Sequence, residues 1–154
     1  ATYPDRPLLM DGPHALALTS FFRNWAQMRI GPAIMRIVLM DIHNACTAED
    51  QTYFRSSREA RLGMPLEQFI LTEEEGCKSI AAELAPLRET LANQPFVNGD
   101  APAFADYIVF GAFMWARGIS AKKILDESDP VHAWRERMLD LFGGLARKAA
   151  GIGA

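Results

Sequence analysis

The sequence lacks the features that nucleic-acid binding, secretion or a membrane span would require. Its 154 residues include 16 Lys or Arg against 19 Asp or Glu, for a formal net charge of -3, and the basic residues form no block. No nucleic-acid surface is therefore expected. The two cysteines, Cys46 and Cys77, make neither a disulfide framework nor a CxxC pair, so we expect a reducing, cytoplasmic compartment. No apolar run approaches the roughly 20 residues of a membrane-spanning helix.

The common catalytic motifs are also missing. GxSxG, the P-loop, the dinucleotide fingerprint and HExxH do not occur, and no serine, histidine and acid are placed together as a hydrolase would need. The nearest approach to a metal site is Asp41, His43, Cys46 and Glu49, whose spacing does not define a tetrahedral site. We predict no metal site and no catalytic residue in this chain.

What the sequence does contain is apolar residues at helical spacing. They make up 49% of the chain, which is enough for a core, and no alternating strand pattern occurs. We predict an all-α bundle of about five to six helices over residues 14–144, around one buried central helix. Residues 1–13, rich in proline, are predicted to be an interdomain linker that follows an upstream domain, and residues 145–154 a loose tail.

Four positions are expected to interrupt or bound the helices. The pair Gly31–Pro32 should break or kink the first long helix, and Pro86 should kink the clearest amphipathic helix. Asp129 followed by Pro130 is a typical helix start, with the aspartate as cap. Gly143–Gly144 should end the last helix.

The segment from Gly99 to Gly118 is predicted to contain the central helix. Its residues from Tyr107 to Ala116 are apolar apart from one glycine, which is typical of a helix buried on every side. Asp106 lies where its carboxylate would accept hydrogen bonds from the free amides of the first turn. Asp106 is therefore a predicted structural capping residue, and the family resemblance given below adds Gly99.

Soft and aromatic side chains are concentrated on the first long helix, beside Arg23 and Arg29. Each of them is most simply explained as ordinary core, but as a set they suit the wall of an aromatic-substrate pocket. Arg55, Arg58 and Arg61 recur every three residues, and we favour a solvated helix face over an anion site there. The predicted substrate-binding residues are Phe22, Trp25, Met28, Arg29, Met35 and Trp115.

The segment NGDAPAFADYIVFGAFMWAR, which ends at Arg117, resembles the central helix of the glutathione transferase C-terminal domain. In that family a glycine, a short loop and a capping box ending in Asp precede the buried helix, as Gly99 and Asp106 do here. The stretch from Glu83 to Gly99 is also similar to the family. Ala103 departs from the family pattern, because Ser or Thr usually occupies this position. The missing hydroxyl is expected to lower the local stability by about 1 kcal/mol.

Three further stretches, FFRNWAQ, RSSREARLGMPLEQF and DPVHAWRER, most resemble bacterial glutathione transferases that cleave β-aryl ethers of lignin-derived aromatics. The resemblance implies a homodimeric enzyme whose N-terminal thioredoxin-like domain, absent from this chain, binds glutathione as co-substrate and stabilises its thiolate. This chain would then supply the wall for an aromatic small molecule. A general detoxifying glutathione transferase and a non-catalytic assembly module of the same fold remain the alternatives.

Overall fold

The computed structural model describes residues 9–10 and 12–153, and their regular structure is helical. An isolated antiparallel bridge joins Phe96 and Gly99. None of the helices in this described part combines the length and apolarity that a membrane span needs. The helices are Gly12–Trp25 (α1), Ala26–Ile30 (a π-turn), Gly31–Ala45 (α2), Ala48–Leu62 (α3), Leu66–Phe69 (α4), Glu73–Glu83 (α5), Ala85–Leu91 (α6), Phe104–Ile119 (α7) and Pro130–Gly144 (α8).

The predicted all-α bundle is confirmed. α1, the π-turn and α2 follow one another without a gap, and α5 and α6 are separated by one residue, so the chain folds into five main rods and the short α4. The predicted linker, residues 1–13, lies mostly outside the described residues, and α1 begins at Gly12. Near the linker's end, the Leu9 carbonyl accepts a hydrogen bond from the Phe104 amide at 3.2 Å.

The pair Gly31–Pro32 widens the first rod but does not break it. Gly31 keeps helical backbone angles, and its N–H donates to the carbonyl of Ala26, five residues earlier. Proline has no N–H to donate and its ring crowds the preceding turn, so a widened turn just before it accommodates the ring. The expected interruption is therefore a π-turn inside a continuous helix.

The expected kink near Pro86 falls two residues earlier. α5 ends at Glu83, and Leu84 leaves helical geometry with φ -85° and ψ 1°. α6 then starts at Ala85 and holds Pro86 in its first turn. The missing N–H of a proline costs nothing at this position, because first-turn amides have no partner within the helix.

The central helix α7 packs on α1 and α2 and contributes much of the core. Phe110 and Phe113 meet Trp134 of α8 edge-on, with ring centroids 6.4 and 6.3 Å from the indole. The sequence predicts that this helix is buried on every side. In the structure, however, one stripe of α7 faces outward. The exposed stripe consists of Phe104, Gly111, Trp115 and Gly118. Two of these are glycines with no apolar side chain to cover.

α8 starts as the sequence predicts. The Asp129 carboxylate accepts from the amide of Val131 at 2.9 Å, and Pro130 occupies the first turn. Helical backbone geometry ends before Gly143, because Leu141 has ψ 151° and Phe142 has φ 54°. The left-handed region is unfavourable for a phenylalanine, and the helical geometry thus ends just before the glycine pair that the sequence predicts as its stop.

The segment after α8 is held against the end of α7, whereas the sequence predicts a loose tail over residues 145–154. The Arg117 guanidinium donates to the carbonyls of Ala146 and Arg147 at 3.2 and 3.0 Å. The Arg117 carbonyl in turn accepts from the amide of Gly153 at 3.0 Å. One arginine thus ties the described part of this segment to the central helix.

Candidate functional site

A cavity of about 700 Å³ lies between α2 and α3 and is open to solvent. Its volume falls within the range of about 300–1,000 Å³ that is usual for small-molecule sites. We call it the α2–α3 cavity. Its lining residues are Gln27, Gly31, Pro32, Met35, Leu39, Ile42, Phe54, Arg58, Arg61, Leu62, Phe69 and Trp115.

The α2 wall of the cavity follows from helical spacing. Met35, Leu39 and Ile42 are four and three residues apart, so they project from one face of the helix. Leu39 also belongs to a small core cluster with Phe54 of α3, and Met35 packs against that cluster. The walls are therefore fixed by the packing between the two helices.

Two arginines of α3 form the polar part of the lining. The Arg58 guanidinium lies over the Phe54 ring, 4.4 Å from its centroid, and donates to the Ser57 hydroxyl at 3.0 Å. Arg61 is exposed and lies one turn further along. Within the described residues neither side chain has a salt-bridge partner.

The third arginine of α3 differs from these two. Arg55 binds the carboxylates of Glu59 at 2.9 Å and Glu67 at 2.8 Å. The hydrogen bonds that Arg55 donates to Glu67 and Glu59 raise the pKa of Arg55, and the hydrogen bond from Arg55 holds the pKa of the Glu67 carboxyl below its usual value. Arg55 thus forms salt bridges with Glu59 of α3 and Glu67 of α4.

Of the predicted substrate-binding residues, the structure brings Met35 and Trp115 together in the α2–α3 cavity. Met35 comes from α2, and Trp115 reaches the cavity from the outward stripe of α7. Met35 and Trp115 are far apart in the sequence, and the fold places both on the same cavity.

The other four predicted residues do not line this cavity. Phe22 and Trp25 meet edge-on at 5.9 Å and are partly buried against the main core. Met28 is 73% exposed. Arg29 is exposed as well, and its guanidinium holds the Glu83 carboxylate through two hydrogen bonds of 2.8 Å.

The periodicity of the chain did not single out Leu39, Phe54 or Phe69 as site residues, although they line the cavity. A usable signal was present. Phe54 and Arg58 are four residues apart on α3, which places an aromatic ring and a cation on one helix face. Which face of α3 meets α2 is decided by packing, and the sequence pattern does not show it.

A buried carboxylate, that of Asp106, joins three parts of the chain. It is 0% exposed. Its Oδ1 accepts from the Val97 amide at 2.8 Å and from the Trp134 indole N–H at 2.9 Å, and its Oδ2 accepts from the Ala103 amide at 3.0 Å. We call this set the Asp106 anchor. Ala103 has no side-chain acceptor to offer in return, so the capping interaction runs in one direction.

Gly99 shapes the loop that leads to the anchor. Its φ of 96° is a conformation that side-chain-bearing residues rarely adopt. Gly99 and Phe96 exchange two backbone hydrogen bonds, of 3.0 and 3.1 Å, and the turn they close contains Val97, whose amide binds Asp106. The glycine therefore lets the loop present that amide to the carboxylate.

Two of the four side chains in the nearest approach to a metal site, Asp41 and Cys46, bind other groups of the chain. Asp41 accepts from the Ser120 hydroxyl at 2.6 Å, and the Cys46 thiol donates to the Ile42 carbonyl at 3.3 Å. In the part of the chain that the structure describes, no three His, Cys, Asp or Glu side chains are grouped as a metal site requires. Burial, aided by the charge of Glu73, raises the pKa of the Cys77 thiol, which makes it a poor nucleophile.

Comparison with known proteins identifies the family of this chain. Residues 17–141 match the sequence profile of the family described as glutathione S-transferase, C-terminal domain. This chain therefore belongs to the glutathione S-transferase C-terminal domain family. The resemblance stated from the Gly99–Arg117 segment is confirmed at the level of the family.

The structure is also similar to the crystal structure of the glutathione transferase GSTFuA3 from Phanerochaete chrysosporium. The TM-score is 0.65 and the sequence identity 28%, and the match covers 93% of this chain and 55% of that one. This chain thus spans little more than half the length of GSTFuA3.

Proposed function

We propose that this chain is the substrate-binding domain of a glutathione-dependent transferase that acts on aromatic compounds. The α2–α3 cavity carries the proposal, because its volume of about 700 Å³ and its apolar and aromatic lining suit a ring system. Membership of the glutathione transferase family adds the chemical class. Within that class we propose cleavage of the β-aryl ethers of lignin-derived aromatics, the branch that three stretches of the sequence most resemble.

In this proposal glutathione is bound and activated by a thioredoxin-like domain in the same polypeptide. The match to 55% of the GSTFuA3 chain supports a second domain, since the rest of that protein has no counterpart in the chain described here. The thiolate is the nucleophilic form of a thiol. The present domain would hold the aromatic substrate so that its reacting carbon faces the sulfur.

The proposed reaction is a displacement at the carbon that carries the aryl ether. The glutathione thiolate forms a C–S bond with this carbon while the C–O bond breaks, and the electron pair leaves with the phenolate oxygen. The phenolate then takes a proton from water. The products are a glutathione thioether and a free phenol, and apolar walls such as Leu39 and Phe69 would hold the rings during the exchange.

The test uses the full polypeptide with a model β-aryl ether. We expect a phenol to be released only when glutathione is present. If no phenol is released but a chloro-aromatic compound is turned over, the enzyme is a general detoxifying transferase and the ether-cleaving proposal is wrong. If neither substrate reacts with glutathione, the domain belongs to a non-catalytic assembly module and the whole proposal fails.

We also propose that the protein is a homodimer, with α1 at the interface. Leu18 and Phe21 project apolar side chains from one face of α1 and are largely exposed. Apolar exposure of this kind is typical of a surface that a partner covers. We expect Phe21→Ser to shift the full polypeptide from dimer to monomer in sedimentation velocity. An unchanged sedimentation coefficient, or a wild-type monomer, would remove this proposal.

A further inference from the structure

The two arginines in the lining of the α2–α3 cavity bear on which aromatic compounds it takes. We propose that the cavity selects aromatic substrates that carry a carboxylate, with the ring among the apolar walls and the carboxylate bound by Arg58 and Arg61. This departs from the solvated helix face that the sequence pattern favours for these arginines, because both of them line the cavity. This inference rests on the proposed function, because it names the substrate class of the same cavity. Its test, however, measures binding and needs no turnover.

The first observation is placement. Arg58 and Arg61 are three residues apart on α3, so both lie on the same face of the helix, and both line the cavity. Among the twelve lining residues there is no aspartate or glutamate. The cavity therefore has a formal charge of +2 next to side chains that are otherwise apolar or neutral.

The second observation is that no acidic side chain of residues 9–10 and 12–153 pairs with either of these two charges. Arg55 binds both Glu59 and Glu67, which removes the closest acidic groups of α3 and α4. The contacts of Arg58 are the Ser57 hydroxyl and the Phe54 ring, and both are neutral. The ring fixes the guanidinium from one side and leaves its charge free for an anion.

The third observation concerns the shape of the lining. Met35, Leu39 and Trp115 form apolar walls that come from α2 and α7. Both cations come from α3, whose Phe54 and Leu62 also line the cavity. A flat ring with an acidic group at one end matches apolar walls with cations on one side. The planar guanidinium pairs with a carboxylate through two parallel hydrogen bonds, and a neutral aromatic would leave both cations without a partner.

The test compares 4-phenoxybenzoate with its methyl ester, which keeps the rings and removes the charge. Binding of each to the full polypeptide is measured by titration calorimetry without glutathione. We expect the acid to bind about 10- to 100-fold more tightly than the ester, as charge-assisted hydrogen bonds provide. Added salt should weaken binding of the acid and leave the ester unaffected, because the cation of Arg61 is solvent-exposed.

Three variants locate the effect. Arg61→Gln and Arg58→Gln should each weaken the acid by about tenfold and change binding of the ester little. Arg23→Gln is the matched control, since it removes an exposed arginine of α1 that does not line the cavity, and we expect no change. Arg58→Lys keeps the charge but loses the planar fork, so an intermediate affinity is expected.

Some results would overturn the inference. Equal affinities for acid and ester would do so, as would an Arg61→Gln protein that binds the acid as the wild type does. Arg61 is exposed, so its substitution leaves folding intact and this outcome is always measurable. Failure of both ligands to bind also refutes it. Phenol release from a neutral β-aryl ether is a separate measurement, and it decides the proposed function independently.

Discussion

The Asp106 anchor and the α2–α3 cavity both bring a charged group next to aromatic side chains, but they treat the charge in opposite ways. At the anchor, three N–H donors surround a carboxylate that is 0% exposed. At the cavity, Arg58 and Arg61 have no acidic partner among the described residues.

The difference separates a structural role from a binding role. A buried charge with a full set of partners has nothing left to offer a ligand, and it raises the penalty for any other arrangement of the chain. A partly exposed cation without a counterion is stable on its own in water and keeps its hydrogen-bonding capacity for a ligand. Changes at the anchor should thus alter stability, and changes at the cavity should alter binding.

The largest expected effect is that of Asp106→Ala. The substitution leaves the amides of Val97 and Ala103 and the indole N–H of Trp134 buried without an acceptor. We expect the free energy of unfolding to fall by at least about 3 kcal/mol, measured by urea denaturation. Asp100→Ala is the control, because Asp100 is exposed in the same loop and should cost little. An equal loss for both variants would contradict the anchor.

The next effect contrasts two tryptophans. Trp25 packs against the main core, so Trp25→Ala should lower the free energy of unfolding by about 2 kcal/mol. Trp115 is 40% exposed and lines the cavity, so Trp115→Ala should cost less stability and raise the KM for an aromatic substrate. Tyr53→Ala is the matched control, since Tyr53 is exposed on α3 and does not line the cavity.

Met28 sharpens the same contrast. The sequence predicts Met28 as a substrate-binding residue, with a place in the ordinary core as the alternative. The residue is 73% exposed, which argues against the core. Met28→Ala should therefore change the free energy of unfolding by less than about 0.5 kcal/mol. A raised KM would then place Met28 near the substrate, while an unchanged KM would remove it from the predicted set.

The fold was predictable because the central segment carries several consistent signals. The apolar residues after Asp106, the glycine at position 99 and the absence of strand alternation all favour a helical bundle with a capped central helix. The cavity was only partly predictable. Met35 and Trp115 stand out by residue type, but Phe54 and Phe69 become cavity residues only through the packing of α3 and α4 on α2. Periodicity describes each helix alone and says nothing of that pairing.

A further substitution tests whether the anchor can be improved. Ala103 has extended backbone geometry, with φ -120° and ψ -175°, and lies at the helix N-cap without a side-chain acceptor. Ala103→Ser supplies a hydroxyl that can accept from the amide of Asp106, so we expect a gain of about 0.5–1 kcal/mol in the free energy of unfolding. Ala101→Ser, in the exposed loop before the cap, should give no gain. Equal effects would show that the missing hydroxyl is not what limits stability here.

The last effect concerns an ion cluster around Glu136 that differs from both regions, because its charges are paired and yet partly exposed. Partial burial works to raise the pKa of Glu136, but hydrogen bonds from Arg147 and Arg135 outweigh it and hold that pKa below its usual value. A lowered carboxyl pKa stabilises the fold above the unfolded-state value, and this contribution is lost as the pH falls through the folded-state pKa.

We therefore expect Glu136→Gln to lower the free energy of unfolding by less than about 1 kcal/mol at pH 7, since solvent screens a pair of this exposure. The difference from the wild type should shrink as the pH falls below the usual glutamate value of about 4.3. It should vanish only below the lowered folded-state pKa, where Glu136 is protonated and as uncharged as the glutamine. Denaturation series at several pH values measure it. A difference that persists at low pH would show that packing, and not the pairing of Glu136 with the arginines, causes the loss of stability.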